Sequence, residues 1–84
     1  MDSNKQVKII KALFKFGFNS AEKVTIYNFN GTGKDIPAIM VEHNYNGLYP
    51  DIIALSLHDA ARRIAEKNGC TAEKRGCCTA TLIY

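Results

Sequence analysis

Two runs rich in β-branched and aromatic residues, 23–30 and 36–43, lie on either side of a short polar segment that begins at Asn30–Gly31. That dipeptide favours the tight turn of a hairpin, so the two runs are expected to pair as antiparallel strands. Pro37 has no backbone donor to offer a neighbour, which places it at a sheet edge or at the start of its strand. The preceding segment has a different period. Over residues 4–17, Ile9, Ile10, Leu13, Phe14 and Phe16 fall within one broad helical arc, and Lys8, Lys11 and Lys15 fall opposite. Ser3 or Asn4 can cap this helix, and Gly17 with Asn19 can end it. A change of period from 3.6 to 2 within 30 residues excludes both an all-helical and an all-strand fold.

The second half is less transparent. Residues 51–56 are apolar and β-compatible, whereas Ser56, followed three residues later by Asp59, has the spacing of a capping box with Asp in place of Glu. The expectation is a short strand over 51–56 and then a helix over 57–68 that buries Leu57, Ala60, Ala61, Ile64 and Ala65. Asn68–Gly69 closes that helix. In the last eight residues Cys78, Ala80, Leu82 and Tyr84 alternate with Cys77, Thr79, Thr81 and Ile83, the pattern of a strand. The resulting fold class is α+β: a two-layer sandwich of order α-β-β-β-α-β, with two helices on one face of a mostly antiparallel sheet. With 84 residues, 46% of them apolar, and no repeat or low-complexity linker, the chain has the makings of one domain spanning 1–84.

The order of elements is similar, in topology alone, to a double-stranded-RNA-binding domain with an added final strand. Such domains carry a lysine cluster at the start of their second helix, where this sequence has Leu57, His58 and Asp59.

The longest apolar stretch, residues 7–18, is broken by Lys8, Lys11 and Lys15, so it has the makings of neither a membrane span nor a signal-peptide core. The chain therefore reads as unprocessed and cytoplasmic. Three cysteines, Cys70, Cys77 and Cys78, are an odd number crowded late in the sequence, which fits reduced thiols better than a disulfide framework.

Motifs for chemistry are sparse. Gly31, Thr32, Gly33 and Lys34 resemble the end of a phosphate-binding loop, but Asn28 stands where that loop needs its first glycine and Asp35 where it needs a hydroxyl for magnesium. His58 with the cysteines does not make a metal site: adjacent Cys77 and Cys78 on a strand point apart, and no Cys-x-x-Cys pair exists. His43 and His58 are the only imidazoles, and neither has a nucleophile or carboxylate partner at a recognisable spacing. His58 reads as a solvated residue in the first turn of its helix. No catalytic residue, metal site or cofactor is expected.

Binding surfaces are the better prospect. If both helices cover one face of the sheet, the other face is open, and alternation sends Thr25, Tyr27, Phe29, Cys77, Thr79, Thr81 and Ile83 toward it. A polar aromatic loop, residues 43–50, adds Tyr45, Leu48 and Tyr49. The leading expectation is a non-enzymatic interaction module that self-associates or docks on a protein partner through Tyr27, Phe29, Tyr45, Leu48 and Tyr49. The alternative comes from the charge layout. The net +3 conceals a basic segment over 1–23, an acidic one over 24–61 and a second basic one over 62–84. Lys8, Lys11 and Lys15 on the first helix, with Arg62, Arg63 and Lys67 on the second, would suit sequence-tolerant contact with nucleic-acid phosphates.

Overall fold

Helix α1 (Ser3–Phe16) forms where the 3.6-residue period predicts it, but its cap lies one residue earlier than expected. Asp2 Oδ1 accepts the Lys5 amide at 2.8 Å. Gly17 ends the helix at φ 126°, a conformation that favours glycine, and its amide reaches back to the Leu13 and Phe14 carbonyls. The structure, a computed structural model, describes residues 1–18, 23–29, 36–76 and 79–84. The expected Asn30–Gly31 turn and the pair Cys77 and Cys78 lie outside the described residues.

Strands β1 (Lys23–Phe29) and β2 (Ile36–Glu42) pair antiparallel with Ile26 opposite Ile39, as the two β-rich runs require. After one 3-10 turn, Tyr45–Gly47, the chain enters a single helix, α2 (Asp51–Lys67). The strand expected over 51–56 is therefore not formed. Pro50 stands at the helix entrance, where its missing N–H is no loss, and its carbonyl accepts the Ile53 and Ala54 amides at 3.0 Å. Ser56 does not cap: its hydroxyl donates to the Ile52 carbonyl at 3.0 Å, one turn back inside the helix. The missing strand reappears after the helix as β3 (Ala72–Arg75), which pairs with β4 (Ala80–Ile83). Gly69, at φ 72°, makes the exit from α2.

The fold is thus a two-layer α+β arrangement of two helices and a four-stranded antiparallel sheet of order β1-β2-β4-β3. The chain order is α-β-β-α-β-β rather than α-β-β-β-α-β. With two strands between the helices, the likeness to a double-stranded-RNA-binding domain no longer holds. No helix of the described residues is long and apolar enough to cross a membrane.

Ile9 and Leu13 of α1, Ala61 and Ala65 of α2, and Ile39, Val41 and Ile83 of the sheet form the core, closed at the end of α1 by Phe18. Full burial of each large side chain in this set contributes roughly 1.5–3 kcal/mol. Cross-strand partners share a face, so the rows Ile26–Ile39–Ile83–Ala72 and Val24–Val41–Thr81–Lys74 belong to the face that carries the helices, with their middle residues buried and Ile26 and Lys74 exposed at the sheet edges. Thr25–Met40–Leu82–Glu73 is a row of the opposite face. The backbone register puts Thr25 on the face expected for it, but β4 is in the opposite phase: Thr81 and Ile83 lie on the helix-covered face, and Leu82, also fully buried, lies on the other. Alternation fixes the period of a strand and leaves its phase open. In the phase observed, the Thr81 hydroxyl finds hydrogen-bond partners inside the core.

Candidate interaction site and its buried anchor

The loop between β2 and α2 displays apolar side chains from a firmly held base. Tyr45 is 57% exposed and Leu48 65%, and the next turns of chain add Ile52 at 74%, Ile53 at 44% and Leu55 at 43%. Five large apolar residues are thus exposed within eleven consecutive positions. Tyr49 is half-buried beside them. Asn44, almost fully buried, spans the loop: its Oδ1 accepts the Tyr49 amide at 2.8 Å and its Nδ2 donates to the Tyr49 carbonyl at 3.3 Å. Asn46 takes the left-handed φ of 55° that the tight turn demands, a conformation asparagine tolerates.

Beneath the loop, β4 supplies the anchor. The amides of His43 and Asn44 both donate to the Thr79 carbonyl at 3.0 Å. His43 Nε2 lies 2.8 Å from Thr81 Oγ1, and His58 Nδ1 of α2 lies 2.7 Å from the same oxygen. One hydroxyl thereby joins the end of β2, the middle of α2 and strand β4. His43 and Thr81 are fully buried and His58 is 9% exposed, so the expectation of a solvated His58 is corrected. Of the face expected from the sequence, Ala61 and Ala65 are buried and Leu57, Ala60 and Ile64 pack partly buried against the core, and the start of α2 at Asp51 adds Ala54 and His58 to the inward positions. Burial, and next the neighbouring His58, push His43 down to about 4. Burial, followed by Lys74 and Arg62, also lowers His58, with Asp59 acting in the opposite direction. Both shifts favour the neutral ring.

The other residues singled out in the sequence are dispersed. Tyr27 and Phe29 pair with Ala38 and Ile36, at the far end of β2 from the loop. The distance along the strand from Ala38 to His43 is about 17 Å at roughly 3.3 Å per residue. The structure therefore does not gather Tyr27 and Phe29 into one patch with Tyr45, Leu48 and Tyr49, and the side chains of Tyr27 and Phe29 lie outside the described residues. Lys8 and Lys67 share a crevice with Lys5 where the start of α1 meets the end of α2. Arg62 is committed to carboxylates, reaching Asp59 and, at 2.9 Å, Glu66; Arg63 reaches Asp59 at 3.0 Å. The hydrogen bond from Arg62, aided by the charge of Arg63, holds the Asp59 carboxyl below its ordinary range although burial works against it. No group of three or more His, Cys, Asp or Glu converges among the described residues.

Sequence reasoning missed Ile52, Ile53 and Leu55 as surface residues, and it missed the His43–Thr81–His58 link. A signal for the first was present: Ala54, His58, Ala61 and Ala65 recur at spacings of 4, 3 and 4, a helical stripe of small residues that leaves the large ones outward. Beside Ile52 and Leu55, a groove of about 710 Å³ runs along α2, with Phe16 of α1 among its lining residues and Arg63 and Lys67 toward the other end.

No protein-family model matches the chain, and neither a curated protein nor a solved structure matches it.

Proposed function

We propose that the chain is a small non-enzymatic interaction module that self-associates through the 43–50 loop and the adjoining turns of α2. The observation that carries this reading is the run of exposed Tyr45, Leu48, Ile52, Ile53 and Leu55 on a base fixed by Asn44 and His43. A pre-ordered loop loses little conformational entropy on docking, and aromatic and aliphatic anchors on such a loop are the usual carriers of binding energy. The one hydroxyl set between two imidazoles, Thr81, is fully buried, so it serves the fold and is out of a substrate's reach.

Light scattering across a concentration series tests the reading. The wild-type chain is expected to approach twice the monomer mass, and the double variant Tyr45→Ser/Leu48→Ser is expected to stay monomeric with an unchanged circular dichroism spectrum. A wild-type chain that remains monomeric at the highest concentration rejects self-association, and a variant that dimerises as well as wild type rejects the loop as the contact.

Sequence-tolerant nucleic-acid binding is the second reading. It draws on Lys8, Lys11 and Lys15, which make no ion pair among the described residues, and on Lys67 beside Lys8. The carboxylates already facing Arg62 and Arg63 reduce what α2 can offer to phosphates, so this reading ranks below the first.

A further inference from the structure

We propose that His43, Thr81 and His58 form an acid-sensitive latch that holds the 43–50 loop and α2 to the sheet while both imidazoles are neutral and releases when either gains a proton. Proton counting makes the case. In the neutral state His43 Nε2–H donates to Thr81 Oγ1, and the threonine hydroxyl donates to His58 Nδ1, so each close contact has one proton. The opposite direction of bonding would put a proton on His43 Nδ1, which is buried without a hydrogen-bond partner, and an orphaned donor is the rarer and costlier defect.

A proton added to His58 Nδ1 disturbs this chain whichever way it adjusts. With both ring nitrogens donating to Oγ1, the hydroxyl proton has no acceptor. If His43 changes tautomer to provide one, its buried Nδ1–H is orphaned instead. A proton added to His43 goes to Nδ1, again into a position with no partner. Protonating both rings sets two cations against each other with centroids 6.4 Å apart.

The surroundings do not offset the charge. Of the described residues after α1, the apolar Phe18 ring lies near His43, its centroid 6.4 Å from that of the imidazole. Strand β3 brings Lys74 toward His58, and α2 brings Arg62 together with Asp59, whose carboxylate is already shared between Arg62 and Arg63. Both imidazoles accordingly hold protons less readily in the folded chain than in the unfolded one, His43 most of all, at about 4 against 6.5. The unfolded chain binds more protons in this window, so acid favours it. Stability from the latch is fully present above about pH 6.5 and drains as pH falls toward about 4, by up to about tenfold in the folding constant per pH unit for His43.

Urea unfolding between pH 8 and 4.5 tests the latch, with His43→Phe/His58→Gln as the variant and imidazole proton NMR of the wild-type chain as a measurement that needs no variant. The wild-type folding constant is expected to fall at least roughly tenfold from pH 6.5 to 4.5, and the variant's by less than about threefold. The His43 ring is expected to titrate well below the ordinary value, and amides of residues 43–50 to lose exchange protection in acid before those of Ile39 and Val41. A His43 ring that titrates at an unperturbed pH overturns the proposal. So does a folded variant that loses stability as steeply as wild type, or a loop that opens only with the whole core.

Discussion

The two helices cover the same face of the sheet by different means. Helix α1 sends long side chains inward, with Ile9 and Leu13 fully buried. Helix α2 turns Ala54, Ala61 and Ala65 inward, with one polar residue, His58, among them. Three of its large apolar residues, Ile52, Ile53 and Leu55, face out, and the other two, Leu57 and Ile64, pack partly buried against the core. One helix is therefore held by hydrophobic volume, and the other by close approach and a buried hydrogen bond to Thr81. The innermost positions of α2 hold methyl groups, Leu57 and Ile64 pack partly buried beside them, and Ile52, Ile53 and Leu55 are left at the surface.

Substitutions that reverse the two modes should separate them. Replacing Ile9 with Ala empties a fully buried site that no neighbouring small residue can fill, and should cost ~2–5 kcal/mol in urea unfolding. A loss below about 1 kcal/mol would mean that α1 does not depend on volume. Ala61→Leu makes the opposite change on α2. It forces a branched side chain into the narrow space between helix and sheet, next to the Ile39, Val41 and Ile83 core, and should cost ~1–3 kcal/mol. If Ala61→Leu raises the urea midpoint instead, α2 does not lie as close as its alanine stripe implies.

This contrast also marks where the sequence was informative. Helix α1 was legible because large residues recur at helical spacing, although of that arc Ile9 and Leu13 are buried and Phe14 and Phe16 exposed, and β1 and β2 were legible because their residues favour strands locally. The start of α2 was less so: Ile52, Ile53 and Leu55 look like buried strand residues, and they mask the stripe of Ala54, His58, Ala61 and Ala65 that takes the inward positions. Strand β3 was hidden for another reason. Its Glu73, Lys74 and Arg75 have no strand-like hydrophobic pattern, and the segment becomes a strand by pairing with β4 at the sheet edge, where charged residues guard against further pairing. Of the candidate site, Tyr45, Leu48 and Tyr49 could be picked out as aromatic and apolar residues in a polar loop. The His43–Thr81–His58 link could not, since it joins residues 38 and 23 positions apart and depends on the phase of β4.

The smallest expected effect tests the outward half of the comparison. Ile52 is 74% exposed in the first turn of α2, so Ile52→Gln removes little surface that folding had buried, and it swaps a β-branched residue for a better helix former. Stability should change by no more than about 0.5 kcal/mol, and the concentration at which the chain pairs should rise. These two readouts respond to different surfaces: urea unfolding of the monomer, below its association range, reports what Ile52 contributes within one chain, and light scattering reports what it contributes between chains. A monomer destabilised by more than about 1 kcal/mol would place Ile52 in the core and undo the division between inward small residues and outward large ones. Unchanged stability with unchanged association would leave the division standing and confine the contact to Tyr45 and Leu48.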